Sequence, residues 1–432
     1  MNRTAMFFTL SWAASSALVG CGGGGSSAAA PTAVGTPAPP PAAAPPPPGA
    51  TPPPPAPSPA PPPSTEVPTL ARSVVMGGLQ NPWDLAFTPD GAMLYTERAR
   101  GLSVRRADGT TAQIFRPADL LAEGQSGIQG VAIDPAFATN RTIYIYMSSN
   151  LSGAGDNRVI RLTVNAGYTA VADRTDIVTG INYKNTWLSG DPAGRGAHNG
   201  GRIRFGPDGF LYITTGDNHS GTLPQNLRAL GAKVLRVDRD GSAAAGNNTP
   251  ASGDARIYAW GFRNPQGITF RPTNGQPYIS EHGPGHSDEV TALSPGINGG
   301  WDPLCLNGTN YCGYTSNQAS GAPTPMTDTA KFSSARQPVW NNNGRSQGIA
   351  ASEFLRGTQW KAYDGAIAVA FMGGTRVEIL RLDAAGALVG ATPVLNTLGT
   401  RIRAAVLAPD GSLYLSTDGR SGGDEIWRVV PS

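Results

Sequence analysis

The sequence predicts an all-β fold, a six-bladed β-propeller of four-stranded antiparallel blades, and three observations carry that prediction. First, short runs of β-branched and aromatic residues bounded by Gly, Asp, Asn and Pro recur beyond Leu70, as in Thr142-Ile143-Tyr144-Ile145-Tyr146 and Leu211-Tyr212-Ile213-Thr214, while long helical patterns are scarce. Second, one phrase returns: a strand, a Pro-Asp-Gly type turn, then another strand. It stands at Phe87 to Tyr95, Ile133-Asp134-Pro135, Phe205 to Tyr212, Phe270-Arg271-Pro272 and Leu407 to Tyr414, and each copy marks one hairpin. Third, the intervals between Pro89, Pro135, Pro207, Pro272 and Pro409 are 46, 72, 65 and 137 residues. The last is close to twice the others, so a degenerate copy must lie inside it. Trp360 to Phe371 fits, with Asp364-Gly365 as the turn and an apolar strand after it. Six units over about 364 residues give roughly 60 each, generous for a four-stranded blade and with room for loops on one face. A two-domain β-sandwich would need a composition break between halves, and none is present.

The N-terminus has a different character. Arg3 supplies a short positive region, and Met6 to Val19 form an apolar and small-residue stretch too short to span a bilayer. The segment ends Leu18-Val19-Gly20-Cys21, which resembles the bacterial lipobox. That resemblance implies a lipoprotein signal peptide over residues 1–20, with Cys21 lipid-modified as the new N-terminus. The alternative is an ordinary secretory signal with an incidental cysteine, and both readings place the protein outside the cytoplasm. Nineteen of the 39 prolines lie between Pro31 and Pro68, and no Asp, Glu, Lys or Arg occurs from Gly22 through Thr65. Such a stretch cannot bury enough apolar surface to offset its ordering entropy, so residues 21–69 are expected to be a disordered, Pro/Ala-rich spacer. Gly22, rather than Asp, after the cysteine resembles outer-membrane sorting. The expected location is the cell envelope: lipid-anchored in the outer membrane and facing the periplasm, or periplasmic.

The propeller is then expected over residues 70–432. A formal charge of +3 spread over this length gives no basic face, so nucleic acid is not an expected partner. With Cys21 lipidated, Cys305 and Cys312 remain as a pair closing a short loop in an oxidising compartment, which points to a disulfide. Two buried free thiols are the alternative, and neither reading makes a zinc site, because no second Cys or His pair stands at ligand spacing.

All four histidines, His198, His219, His282 and His286, fall within 89 residues in Gly-rich surroundings. In Gly196-Ala197-His198-Asn199-Gly200-Gly201-Arg202 a histidine in a flexible turn directly precedes a strand, where a propeller would turn it toward the axis. Asp217, in Thr215-Gly216-Asp217, returns an acid to the same rim, and a carboxylate beside an imidazole is how a general base is held in one tautomer. The bland reading of His198 is a turn histidine bonded to a nearby carbonyl. Arg263, ahead of Asn264-Pro265, is a fixed cation suited to a developing oxyanion, or alternatively an inter-blade ion pair. The Gly283-Pro284-Gly285 turn can aim backbone carbonyls at a hard cation such as Ca²⁺. Arg401 and Arg403 share one strand face and suit a ligand with carboxylates or phosphates, or else form a solvated basic edge. No Gly-rich phosphate loop, HExxH or Gly-x-Ser-x-Gly elbow is present, which disfavours ATP-, zinc- and serine-based chemistry.

Taken in order, these segments resemble the soluble aldose (glucose) dehydrogenases that use pyrroloquinoline quinone (PQQ), a family of six-bladed propellers. The resemblance spans about Leu79 to Val430. It rests on Asn81-Pro82-Trp83-Asp84 with Thr96-Glu97-Arg98, Gly124 to Ala132, His198 to Arg202, Gly216-Asp217, Arg263 to Gly267, Ser280 to Pro284, Asn298 to Trp301, and Arg401-Ile402-Arg403. It implies oxidation of the anomeric carbon of aldose sugars to lactones by hydride transfer to PQQ, with Ca²⁺ required. His198 matches the general base and Asp217 the acid that orients it. Arg263 matches the arginine beside the quinone oxygen that becomes negative, while Gln125 and Asn264 match contacts to cofactor or substrate. Arg401 and Arg403 match binders of the cofactor carboxylates, and the carbonyls of Gly283 and Pro284 match Ca²⁺ ligands. A lysine and a threonine or serine in the family's later blades also touch PQQ, and the aligned stretches offer Arg376 and Ser352. Gln129, Glu353 and Phe354 depart from the residue types usual near the pocket, so the family's sugar preference does not carry over.

The implied partners are an aldose substrate, an electron acceptor that the sequence does not identify, and a membrane through the lipid anchor only; a homodimer is left open. Two other readings stand beside this one. A non-catalytic sugar- or protein-binding propeller on the cell envelope would keep the same loops for architecture. A metal-dependent sugar lactonase of similar shape would need acidic side chains around an axial metal, and the axial segments offer mainly Arg, His and Asn.

Overall fold

Each of the recurring turns ends the innermost strand of one four-stranded unit in the computed structural model, which describes residues 64–186, 194–308, 311–315, 318–396, 399–419 and 422–432. The inner strands are Pro82–Phe87, Ile128–Ile133, Ile203–Phe205, Pro265–Phe270, Ile349–Phe354 and Ile402–Leu407, and each heads one of six sheets. Neighbouring inner strands contact one another in succession and the last returns to the first, which closes the ring of a six-bladed propeller. The degenerate copy falls where the doubled interval required it: Asp364-Gly365 ends the connection from Ile349–Phe354 to Ile367–Phe371, with the Leu355 N–H donating to the Ala366 carbonyl at 2.9 Å.

Closure uses the first strand of the domain. Leu70–Leu79 pairs antiparallel with Asp424–Pro431 and becomes the outer strand of the sixth blade, so the two ends of the domain are tied by one ladder from Leu70↔Pro431 to Leu79↔Asp424. Ahead of that strand, the Glu66 carbonyl accepts from the Ala362 N–H of the fifth blade at 2.9 Å. The expected signal peptide, Cys21 and the expected spacer up to residue 63 lie outside the described residues.

Alternation along the strands sends one row of side chains into each gap between blades. Six clusters of buried apolar residues result, one for each neighbouring pair of blades. Between the first two blades, for example, Leu94, Val104, Ile128, Ile145 and Ile160 are fully buried. Each such side chain contributes about 1.5–3 kcal/mol, so side-chain packing is the main tie between blades. Hydrogen bonds between neighbouring blades supplement it, as from Thr96 Oγ1 to the Gln129 carbonyl at 2.6 Å and from Ser280 Oγ to the Ala350 carbonyl at 2.6 Å.

Two features depart from uniform four-stranded blades. The third sheet gains a fifth strand, because Ile297–Asn298 pairs parallel with Ile257–Trp260. That short strand belongs to a long insertion of the fourth blade between Glu289–Ala292 and Trp340–Asn341, which also carries a Cys305–Cys312 disulfide. Since every inner strand ends in a Pro-Asp-Gly type turn or its counterpart at one end of the propeller, the loops leading into these strands gather at the other end. So do the loops leaving the second strands. The site lies there.

Candidate active site

Those loops, from all six blades, line one axial cleft of about 630 Å³. His198 reaches it from the turn before the third inner strand, with its backbone in the left-handed region at φ 49°. Asp217 comes back from the second strand of the same blade, Leu211–Thr214. Gly216 lies directly against the His198 carbonyl, where any Cβ would overlap that oxygen, so only glycine lets the two loops meet. His198 Nδ1 stands 2.7 Å from Asp217 Oδ1. The same carboxylate accepts from Trp301 Nε1 at 2.9 Å and from the His219 backbone N–H at 3.1 Å. Burial pushes the Asp217 carboxyl up from its ordinary range, and the Arg263 charge opposes that push. Three N–H groups converge on its two oxygens, an arrangement that only the acceptor form satisfies. The proton of the His198 imidazole is thereby held on Nδ1, which leaves Nε2 as the basic nitrogen.

Gln125 and Asn264 support the same turn. The His198 N–H donates to Gln125 Oε1 at 3.2 Å, and the Gly200 N–H donates to Asn264 Oδ1 at 3.1 Å. Arg263 is buried; its Nη1 donates to the His282 carbonyl at 2.6 Å and its Nη2 to the Tyr314 hydroxyl at 2.7 Å. The backbone N–H groups of Arg263 and Asn264 both donate to Glu281, whose carboxyl burial and the neighbouring Glu289 push up to about 8.

The cleft is strongly cationic. Arg98, Arg263, Arg345, Arg401 and Arg403 line it, against Asp418 as the one carboxylate among the lining residues. Arg403 donates to Asp418 through Nε at 3.0 Å and to Gln266 Oε1 at 2.6 Å, and Arg401 stands 3.5 Å from Asp418. Burial alone would raise the Asp418 carboxyl, but Arg403 and then Arg401 hold it well below the usual carboxylate range. Five guanidinium groups and one carboxylate suit an anionic, planar ligand. Arg98 Nε, Arg263 Nε and Gln129 Oε1 are buried without a hydrogen-bond partner, polar atoms of the kind a bound ligand would complete. Gly283 and Pro284 also line the cleft, and the Gly283 carbonyl lies 2.9 Å from His282 Nδ1. Among the described residues no group of three or more His, Cys, Asp or Glu side chains is placed to hold a metal ion. A hard cation here would rest on backbone carbonyls and on oxygens of its co-ligand.

A model of the glucose/sorbosone dehydrogenase family matches residues 79–428. The chain belongs to that family. It is 31% identical over 370 residues to an aldose sugar dehydrogenase of Escherichia coli, covering 84% of this chain and 93% of that protein. It is 30% identical over 284 residues to quinoprotein glucose dehydrogenase B of Acinetobacter calcoaceticus, covering 60% of this chain and 58% of that one. Among solved structures, the PQQ-bound form of the aldose sugar dehydrogenase of Streptomyces coelicolor superposes with a TM-score of 0.66 at 25% identity, over 84% of this chain and 99% of that chain. Family and fold agree with the sequence reading, and these relatives are oxidoreductases.

Gln125, His198, Arg263, Asn264, Gly283, Pro284, Arg401 and Arg403 all line the cleft, and Asp217 stands directly behind His198. Ser352 and Arg376 do not line it. Ser352 is buried on the inner strand Ile349–Phe354 against Gly267, and Arg376 pairs with Glu378 at 2.6 Å and with Gln347 while lying over the Phe371 ring. Glu353 and Phe354, expected near the rim, are buried on the same inner strand. Ser352, Glu353 and Phe354 lie further along their inner strand than the entry residues, such as Gln129, Gln266 and Arg403, that reach the cleft. Arg376 does sit in the loop after the second strand Ile367–Phe371, but Glu378 and Gln347 hold its guanidinium over the Phe371 ring and away from the cleft. Gln347, Gly348, Met372 and Gly373 take their place. Arg98, His219, Trp301, Tyr314, Arg345 and Asp418 were not assigned from sequence. Arg98 and Asp418 had a readable signal, since each follows the second strand of its blade as Asp217 does.

Proposed function

We propose that this protein oxidises aldose sugars at the anomeric carbon to lactones, using PQQ and Ca²⁺, with His198 as general base. The observation that carries this reading is the His198–Asp217 pair at the edge of an axial cleft lined by five arginines. Arg401 and Arg403, with Arg98 beside them, would hold the carboxylates of PQQ, and the carbonyls of Gly283 and Pro284 would hold Ca²⁺. PQQ, when bound, supplies the two-electron acceptor that takes the hydride.

The chain's own groups then divide the work. Asp217 keeps the imidazole proton on Nδ1 and stabilises the imidazolium once His198 is charged. His198 Nε2 takes the proton of the anomeric hydroxyl. Arg263, pinned by the His282 carbonyl and Tyr314, presents fixed positive charge to the oxygen that becomes negative on reduction. Because Arg263 is buried and oriented in advance, little reorganisation is needed as charge develops. The test is His198→Ala: turnover should fall at least a hundredfold while the Kd for PQQ stays within a few-fold. Wild-type turnover in that variant would remove His198 from the role.

The same reading places the protein on the cell envelope, anchored through lipidated Cys21. Leu18-Val19-Gly20-Cys21 supports it, and the Cys305–Cys312 disulfide is in keeping with an oxidising compartment. Metabolic labelling with a radioactive fatty acid should mark the wild type and not Cys21→Ala; equal labelling would refute the anchor.

A further inference from the structure

His219 is the one histidine beside the base that no role above uses. Its Nε2 lies 3.0 Å from His198 Nε2 and 3.2 Å from the Tyr314 hydroxyl, and its ring stacks on Tyr311 at 4.8 Å with an interplanar angle of 10°. The proton on this contact can be assigned. Asp217 accepts the Nδ1–H of His198, so His198 Nε2 offers a lone pair, and two neutral ring nitrogens at 3.0 Å need one hydrogen between them. His219 must therefore donate its Nε2–H to the base. The groups facing its ring are His198, Asp217, Arg263, Lys184, Tyr311 and Tyr314, and burial followed by the His198 ring pushes His219 down to about 3, which keeps it neutral at any ordinary pH.

A substrate hydroxyl that gives its proton to His198 Nε2 must take over the lone pair that this donor now engages. Its oxygen would sit about 2.8 Å from Nε2, within reach of an N–H that already stands 3.0 Å from the same nitrogen. We propose that His219 is a second catalytic histidine, which donates its Nε2–H to the base in the empty site and, once substrate arrives, to the very oxygen from which His198 removes the proton. The proposal rests on the dehydrogenase reading above. In the reaction the hydroxyl proton goes to His198 Nε2, the anomeric hydride leaves with its electron pair to the cofactor, and the oxygen becomes the lactone carbonyl. His219 keeps its own proton throughout and stabilises the negative charge that builds on that oxygen. The Tyr311 stack and the Trp301 bond to Asp217 keep the two rings in place, which ties the insertion of the fourth blade to the chemistry.

The experiment compares His219→Phe, which keeps a ring against Tyr311 but has no N–H, with His219→Gln, which keeps a donor; His219→Leu is a second donor-free variant should the Phe variant misfold. Four histidines make ¹⁵N-histidine labelling tractable, so the titration of His198 can be followed by NMR without cofactor. A donor to the neutral base favours its unprotonated form, so losing it should move the His198 titration, and the acid limb of kcat/KM with it, to higher pH. In the reconstituted enzyme His219→Phe should lower kcat by ten- to a hundredfold, and His219→Gln should recover most of that loss. Unchanged His198 titration and a kcat within twofold in the Phe or Leu variant would overturn the role. A folded wild type that binds PQQ yet oxidises no aldose would refute the dehydrogenase reading itself, and this role with it; normal wild-type turnover with an indifferent His219→Phe overturns the role alone.

Discussion

Replacing Asp217 with Asn tests the catalytic pair most sharply, because the geometry dictates what the amide can and cannot do. Asp217 Oδ1 faces His198 Nδ1 and the His219 N–H, while Oδ2 faces Trp301 Nε1. Asparagine has one oxygen. Turned toward His198 it keeps that bond but sets its NH₂ against the Trp301 N–H, leaving buried donors unpaired at about 1–3 kcal/mol. Turned toward Trp301 it presents NH₂ to His198 Nδ1, which drives the imidazole proton onto Nε2 and removes the base. In either orientation the charge that stabilises the imidazolium is gone. Taken together these effects should lower kcat by about 10³-fold, equivalent to about 4 kcal/mol at about 1.4 kcal/mol per tenfold. The assay is steady-state dye reduction by the reconstituted variant across pH, with a thermal melt to show that the fold persists. A kcat within threefold of wild type in a folded Asp217→Asn protein would refute the reasoning.

Three further outcomes are expected. Arg403→Ala removes one guanidinium from the cleft and leaves Asp418 buried with a weaker partner, so the Kd for PQQ measured by calorimetry should rise about 10- to 100-fold, and an unchanged Kd would contradict the assigned ligand surface. Cys305→Ser/Cys312→Ser reopens a loop of sequence separation 7, worth about 2–3 kcal/mol in loop-closure entropy. Since that loop carries Tyr311, which stacks on His219, and leads directly into Tyr314, activity should fall several-fold while the melting temperature of the domain moves by only a few degrees. Deleting residues 64–79 strips the closing strand from Asp424–Pro431 and bares a long edge, so the truncated domain should melt at least 10 °C lower or aggregate; a full-height cooperative melt at the wild-type temperature would show that closure is dispensable.

Much of the fold was legible because turn chemistry is local. Pro-Asp-Gly specifies a hairpin wherever it stands, and a doubled interval was enough to find the fifth copy at Asp364-Gly365. The closure by Leu70–Leu79 was not legible, since pairing across more than 340 residues leaves no local mark. Likewise the parallel strand Ile297–Asn298 is too short to carry a period. At the site, residues at the entry to an inner strand were found: Gln125, His198, Arg263, Asn264, Arg401 and Arg403 all reach the cleft. Ser352 was missed because its place well along an inner strand carries no local mark, and Arg376 because its engagement by Glu378 and Gln347 is a contact that the loop sequence does not reveal. Arg98 and Asp418 carried the same positional signal as Asp217, and only the ring of blades showed that the signal was shared. Trp301 stood in one of the family-like motifs but without a role, and Tyr311 and Tyr314 could not be read at all, because a long insertion of the fourth blade brings them to the Asp217 and His219 side chains.

The measurement that tests the central claim most directly is reconstitution of the folded domain: titrate PQQ by calorimetry with and without Ca²⁺, and follow dye reduction with a panel of aldoses. Tight binding that depends on Ca²⁺, with aldose-dependent dye reduction that is lost in His198→Ala, is the expected result. A folded domain that binds no PQQ in the presence of Ca²⁺ would contradict the assignment of the arginine-lined cleft and, with it, the proposed reaction.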